Sequence, residues 1–260
     1  SKLYCNKNLD QVEVSSFTSG KLFCFTAPHP DRKDLNQDSM GFIEYSKDVG
    51  LLILADGIGG HRGGDKASKV AIRSIISSLR NLKKSSLIQK APLAMAKANE
   101  KVRKLNLGAG TTLTLCLIID GVATVFSTGD SRAYVYSSAG NLKFKTMDLS
   151  VEGLAIASGA ISPEEVNDNA LCYYVGDQSL SFMTYGPIEL NAQDSILLCS
   201  DGIHGNISDE EIAEVVKSTK EEVNKGQLLL DKVKSNFICP DDHSFLFLDL
   251  KSTLEESLNN

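Results

Sequence analysis

Strand-like and helix-like segments occur in runs along this chain, and this grouping is the feature that most limits the folds open to it. Three β-rich segments follow one another at residues 111–119, 122–127 and 133–137. Apolar residues at helical spacing occupy residues 65–82 and then 87–105. A doubly wound parallel sheet requires strands and helices to alternate. The grouping therefore favours antiparallel sheets with segregated helices.

Shorter segments predict further elements. Residues 40–45 and 50–55 form a pair of strands joined by a polar turn, and Asp120-Gly121 is typical of a hairpin turn. Ser208-Asp209-Glu210-Glu211 has the capping-box pattern of a helix start, which predicts a helix to about residue 217. Other strands are predicted at residues 22–26, 171–175, 181–185, 195–199 and 245–250, and other helices at 151–161 and 225–236.

The composition is that of a globular protein. Of 260 residues, 42% are hydrophobic and 23% charged, and no apolar run approaches the roughly 18 residues of a membrane span. No repeat or low-complexity linker divides the chain. We therefore predict one domain over residues 1–260, with residues 251–260 as a polar tail, no membrane partner and a cytoplasmic location.

Charge and cysteine content argue against several classes of function. The net charge of −6 argues against nucleic acid as a partner, because phosphate backbones require a basic surface. None of the six cysteines is paired at CxxC spacing, which argues against a zinc or redox motif. Cys24, Cys116 and Cys199 lie in apolar strand-like runs, so we expect them to be buried and reduced.

Four aspartates stand at the ends of predicted strands. Asp56 follows one strand, Asp201 lies just after another, and Asp38 and Asp241 each come just before one. Taken singly, each is more often a turn residue, because aspartate is common in turns. Carboxylates gathered at neighbouring strand ends repel one another, and a divalent cation relieves this. Oxygen ligands favour Mg²⁺ or Mn²⁺ over zinc.

A set of motifs extends over most of the chain, from about residue 20 to 250. They are Asn36-Gln37-Asp38-Ser39, residues 54–61 and 64–68, Gly110-Thr111-Thr112-Leu113, Gly129-Asp130-Ser131-Arg132-Ala133-Tyr134, and residues 159–165, 197–202 and 241–244. In type, order and spacing this set resembles the metal-dependent protein phosphatases of the 2C type, and their bacterial single-domain branch most closely.

The resemblance implies an α+β fold in four layers, α/β/β/α, with two packed antiparallel β-sheets flanked by helices. It implies hydrolysis of phosphoserine and phosphothreonine in phosphorylated proteins by a metal-activated water, without a covalent enzyme intermediate. It also implies a flap beside the active site at about residues 148–180. We expect the protein to act as a monomer.

Residue roles carry over by motif. The resemblance assigns catalysis and metal binding to the four aspartates: Asp56 bridges two Mn²⁺ or Mg²⁺ ions, Asp38 serves one of them, mostly through water, and Asp201 and Asp241 serve the other. The carbonyl of Gly57 is a further ligand. Asp130 matches the residue that holds a third, weaker ion in bacterial members, and a structural role in its turn is an equal alternative.

Some positions depart from the family pattern. Many members grip the substrate phosphate with an arginine where this chain has Lys33 beside Arg32, and lysine lacks the bidentate fork of arginine. Gln37 replaces a frequent glutamate. The flap also differs, most clearly at Asp148-Leu149-Ser150. His204 receives no role. These departures motivate one alternative, a catalytically weak or inactive module of the same fold that binds a protein partner.

Overall fold

In the part of the chain that the structure describes, two antiparallel sheets of six strands each form the centre of the protein. The computed structural model describes residues 1–31, 35–58, 63–161, 170–218, 224–236 and 238–250. Sheet A contains, in spatial order, β1 (Lys2–Cys5), β4 (Ser39–Ser46), β5 (Val49–Ala55), β6 (Leu113–Ile119), β7 (Val122–Thr128) and β10 (Met183–Glu189). Sheet B contains β2 (Glu13–Phe17), β3 (Gly20–Ala27), β12 (His243–Leu250), β11 (Ser195–Cys199), β8 (Arg132–Tyr136) and β9 (Leu142–Lys145).

Helices α1 (Gly64–Leu79) and α2 (Lys84–Arg103) cover the outer face of sheet A. Strand β5 is buried along its whole length because both of its faces are covered. Leu51 and Ile53 point into the cluster shared with these helices, whereas Leu52 and Leu54 point into the cluster between the two sheets. The alternation of side chains along a strand thus supplies two cores from one apolar run.

The outer face of sheet B packs against a second group of helices: α4 (Asp201–His204), α5 (Asp209–Lys217) and α6 (Lys225–Asn236). Phe245 and Phe247 of β12 face these helices, whereas Leu246 and Leu248 face sheet A. The layers are therefore α/β/β/α, and the predicted four-layer α+β sandwich is confirmed. Within the described residues, no helix has both the length and the apolar character needed to cross a membrane.

Local sequence explains several element boundaries. Asp120 and Gly121 have φ values of 50° and 75°, so both central residues of the β6–β7 turn adopt the left-handed conformation of a type I′ hairpin. Helix α5 starts at the predicted capping box, since the Ser208 hydroxyl accepts from the Glu211 N–H and the Glu211 carboxylate accepts from the Ser208 N–H. The predicted β4–β5 hairpin is also confirmed.

Other predictions about local structure were wrong. Residues 171–175 form no strand; Leu171 and Val175 each make a single bridge, to Ser150 and Thr111. Their apolar character has another cause, because the Val175 side chain is buried against sheet A and its helices. Helix α2 begins three residues before the predicted start, which places Pro92 well inside it. The helix tolerates this proline on a partly exposed face, where water can solvate the freed carbonyl.

The short helix α3 (Val151–Ala157) occupies the predicted flap region and has no fully buried residue. The Ser150 hydroxyl caps it by accepting a hydrogen bond from the Gly153 N–H at 3.0 Å. Cys24, Cys116 and Cys199 are buried and free, as predicted.

Candidate metal centre

Asp38 and Asp56 lie side by side at one end of sheet A. Asp38 immediately precedes β4 and Asp56 immediately follows β5, and the two strands are paired with Ser39 opposite Ala55. In an antiparallel pair, the start of one strand and the end of the next lie at the same end of the sheet. The hairpin therefore brings the two carboxylates to one end of sheet A.

Three further aspartates lie at one end of sheet B. Cys199, the last residue of β11, pairs with both Arg132 at the start of β8 and Phe245 near the start of β12. Asp201 follows β11, Asp130 precedes β8 and Asp241 precedes β12. The strand order 12-11-8 thus gathers three acids from distant parts of the chain.

The two groups of acids face one another. Burial raises the pKa of Asp56 well above its ordinary value, and Asp38, Asp201, Asp130 and Asp241 each raise it further. Burial, followed by Asp130 and Asp241, raises the pKa of Asp201 to about 8. Like charges at short range oppose ionisation. The structure therefore brings the five predicted acidic residues into one electrostatic neighbourhood between the ends of the two sheets.

Asp38 lies deepest in this neighbourhood, with a side chain that is 0% exposed. Burial raises its pKa well above the ordinary value, and the neighbouring Asp242 adds to the effect. The hydroxyls of Ser200 and Ser244 are near enough to lower this pKa somewhat. Neither carboxylate oxygen, however, accepts a well-formed hydrogen bond from the described part of the chain. A buried carboxylate in this condition fits a bound cation.

The acids are spaced rather than clustered. Over the described ranges, no three acidic, histidine or cysteine side chains converge closely enough to enclose an ion by themselves. Mg²⁺ usually keeps several water ligands and takes only one or two carboxylates from the protein. The spacing therefore fits ions that are held in part through water, and it does not fit a closed cage of protein ligands.

Gly57 allows the backbone after Asp56 to approach two other segments. A Cβ at this position would lie 2.4 Å from the carbonyl oxygen of Gly64 and 2.8 Å from that of Gln37. The Gly57 N–H donates to the same Gln37 oxygen at 3.2 Å. Only glycine fits such an approach without moving the backbone. Gly57 thereby keeps the loop after β5 close to both the start of α1 and the segment before β4.

Hydrogen bonds that the sequence did not reveal hold these turns together. The Thr112 hydroxyl accepts from the Asp56 N–H at 2.9 Å and lies 2.7 Å from the Ser131 hydroxyl. It therefore joins the turn after β5 to the turn before β8. The motif Gly110-Thr111-Thr112-Leu113 marks Thr112 in the sequence. The two partners of its hydroxyl, however, depend on the strand order.

A second group of hydrogen bonds surrounds the Asp130 turn on the side of α4. Arg132 donates to both oxygens of Asp148, from Nε at 2.9 Å and from Nη2 at 2.7 Å. The Nε2 atom of His204 lies 3.0 Å from the backbone oxygen of Asp130. Burial, and after it the Arg132 guanidinium, lower the pKa of His204 to about 4 although the residue keeps some exposed surface, so its imidazole is neutral near pH 7.

Arg32 and Lys33, the predicted phosphate-binding residues, lie outside the described residues, as does His61. Their predicted roles stay predictions. The residues that sequence reasoning missed are Thr112, Ser131, Asp148, His204 and Asp242. Asp148 and His204 had been noted only as positions of departure or of no assigned role, and Asp242 is one of two adjacent acids before β12.

Comparison with known proteins identifies the family of this chain. Residues 27–228, more than half of the chain, match the family model described as Protein phosphatase 2C. The serine/threonine phosphatase stp of Listeria monocytogenes is 27% identical over 215 residues, which cover 77% of this chain and 84% of that protein.

Two solved structures extend the comparison. The S. agalactiae serine/threonine phosphatase shares the fold with a TM-score of 0.79 at 24% identity, covering 93% of this chain and 100% of that one. The catalytic domain of the serine/threonine protein phosphatase PstP, in complex with two manganese ions, has a TM-score of 0.73 at 26% identity, covering 89% and 98%. This chain belongs to the protein phosphatase 2C family.

Proposed function

We propose that this protein hydrolyses phosphoserine and phosphothreonine in phosphorylated proteins, with divalent metal ions held at the aspartate-lined ends of the two sheets. The observation that carries the proposal is that Asp38, Asp56 and Asp201 face one another between the ends of the two sheets, where burial and neighbouring carboxylates raise all three pKa values. When these carboxylates are ionised together, they require positive charge nearby. The serine/threonine phosphatase activity in the names of the relatives supports the same function.

The residues present fit two divalent ions. We propose that Asp56 serves both ions with the carbonyl of Gly57 as a further ligand, that Asp38 serves one ion, and that Asp201 and Asp241 serve the other. The PstP structure with two manganese ions supports this number. Asp130 is proposed to hold a third, weaker ion. Bound Mn²⁺ or Mg²⁺ would stabilise charge on the phosphoryl oxygens and activate water for attack.

The chain's own residues support direct attack by water rather than a covalent route. Cys239, like the buried Cys199, is a cysteine whose pKa the site acids help to raise. Burial, followed by Asp201 and Asp241, raises its pKa to about 11, so its thiol stays protonated near pH 7. A thiol in that state is a poor nucleophile. The carboxylates are proposed to bind and orient, and no side chain is assigned the attack on phosphorus.

We also propose which residues bind the substrate phosphate, which partners the protein has and in which compartment it acts. Arg32 or Lys33 would bind the substrate phosphate; arginine would do so with a bidentate fork and lysine as a point charge. The net charge of −6 supports phosphoproteins rather than nucleic acid as partners. All six cysteines are free, which supports a reducing compartment such as the cytoplasm. We further propose a monomer. The intact set of four strand-end aspartates weighs against the non-catalytic alternative.

The test is phosphate release from serine- and threonine-phosphorylated peptides, with a tyrosine-phosphorylated peptide as comparison. We expect release from the first two with Mn²⁺ or Mg²⁺ and its loss on adding a chelator. Binding of Mn²⁺ without turnover of any phosphopeptide or of p-nitrophenyl phosphate would support the inactive module instead. Turnover that survives complete chelation would exclude the metal assignment.

A further inference from the structure

His204 connects the turn that carries Asp201 to the turn that carries Asp130. It is the last residue of α4, three positions after Asp201, and its Nε2 atom lies 3.0 Å from the Asp130 backbone oxygen. A carbonyl oxygen only accepts hydrogen bonds, so the Nε2 atom must carry the proton and donate it. The contact joins residues that are 74 positions apart in the chain.

Other contacts hold the neighbours of Asp130 rather than Asp130 itself. The Leu149 N–H donates to the Gly129 oxygen at 2.9 Å, and the Ser131 hydroxyl lies 2.7 Å from that of Thr112. These bonds attach the turn to the predicted flap region and to the residue that precedes β6 of sheet A. The His204 bond acts on the peptide of Asp130 and comes from the direction of Asp201.

The two connected turns carry acids that interact strongly. Asp130 is, after burial, the largest cause of the raised pKa of Asp201. Within α4, the Gly205 N–H donates to the Asp201 oxygen at 2.7 Å, which closes the helical turn that brings His204 back toward Asp201. The imidazole therefore connects the short helix that begins at Asp201 to the backbone of Asp130.

We propose that His204 is a positioning residue, whose Nε2–H bond to the Asp130 peptide holds the Asp130 and Asp201 carboxylates at the separation that divalent ions require. The inference rests on the proposed function, because it concerns the same metal centre. Partners that orient ligands in this way typically contribute about 10–100-fold to metal affinity or activity.

Two variants separate the hydrogen bond from the shape of the side chain. His204→Phe keeps a flat ring but removes the donor, whereas His204→Gln places an amide N–H at about the position of Nε2. Mn²⁺ affinity is measured by calorimetric titration of the metal-free protein, which needs no turnover. We expect H204F to bind Mn²⁺ about tenfold more weakly and H204Q to retain most of the wild-type affinity. The melting temperature in chelator reports on folding.

Coupling to Asp130 distinguishes positioning from a general structural role. In an Asp130→Asn background, H204F should weaken Mn²⁺ binding far less than in the wild-type background, because the residue through which it acts is already lost. Equal effects in both backgrounds, wild-type affinity in H204F, or a loss in H204Q as large as in H204F would each overturn the proposal.

Misfolding of H204F and inactivity of the wild-type protein are each distinguished by a further comparison. If H204F does not fold, His204→Asn replaces it, since the shorter amide does not reach the Asp130 oxygen; the comparison of H204Q with H204N then decides, and equal Mn²⁺ affinities overturn the proposal. If the wild-type protein releases no phosphate from any phosphopeptide but H204F still loses Mn²⁺ affinity, the proposed function fails while the role of His204 stands.

Discussion

The Oδ2 atom of Asp242 accepts a hydrogen bond from the backbone N–H of Gln37 at 2.7 Å, between residues that are 205 positions apart. The bond joins the segment before β4 in sheet A to the segment before β12 in sheet B. Asp242 is 2% exposed and is, after burial, the largest cause of the raised pKa of Asp38. A buried acid thus connects the two sheets beside the deepest carboxylate of the proposed metal centre.

Replacing Asp242 should lower the free energy of unfolding, because the side chain connects the two sheets. Asp242→Ala leaves the Gln37 N–H without its acceptor, and we expect a loss of about 1–3 kcal/mol in the free energy of unfolding. Asp242→Asn keeps an oxygen that can accept the bond and should lose less. Urea denaturation in chelator, at fixed pH, measures both. An Asp242→Ala protein as stable as Asp242→Asn, which also lacks the charge but keeps an acceptor, would show that the bond contributes nothing.

Asp56→Asn should abolish metal-dependent phosphatase activity. The amide removes one negative charge from the centre of the acid group, and we expect phosphate release to fall by more than about 100-fold, the upper limit for outer partners of a metal. Asp48→Asn is the matched control, because Asp48 is exposed in the turn at the other end of the same hairpin. Full turnover in Asp56→Asn, measured with saturating Mn²⁺, would remove Asp56 from the metal centre.

Gly57→Ala should destabilise the protein and impair the centre together. The new Cβ would lie 2.4 Å from the Gly64 oxygen, and backbone on both sides must shift to admit it. We expect a cost of about 1–3 kcal/mol, as for other overpacked sites, together with weaker Mn²⁺ binding. Gly108→Asn is the control. Nothing lies within 4 Å of a Cβ added at this position, and asparagine tolerates the φ of 63° found there. Similar losses in both proteins would contradict the steric explanation.

The stability of the metal-free protein should fall as pH rises. The pKa of Asp201 is about 8 in the folded protein, whereas an unfolded aspartate titrates near about 3.9. Between these values the folded state holds the proton and the unfolded state has released it, so raising the pH favours unfolding. This stability is complete below about pH 4 and lost as pH passes about 8.

Thermal unfolding in chelator across this range provides the measurement. Asp201→Asn cannot ionise and should show a flatter pH dependence. With excess Mn²⁺, which binds the ionised carboxylates, the gain in melting temperature over the metal-free protein should grow with pH. A metal-free protein that becomes more stable between pH 5 and 8, with no change in Asp201→Asn, would contradict the raised pKa.

The elements that local sequence predicted correctly are those with strong local signals. The Asp120-Gly121 turn and the Ser208 capping box each act within four residues, and β5 is apolar throughout because both of its faces are covered. The strands β1, β2 and β9 were missed. They are short and lie at or near sheet edges, where exposed polar positions dilute the apolar pattern and backbone pairing to a neighbour defines the strand.

The sequence by itself determined which acids are available and that, once brought together, they need positive charge. It also determined the hairpin that sets Asp38 beside Asp56, because that pairing is local. Only the tertiary structure decided that Asp201, Asp241 and Asp130 meet them, and that Asp242 and His204 hold the surrounding turns. The physical reason is that these contacts depend on strand order and on the stacking of the two sheets. The side-chain periodicity along one strand carries no information about either.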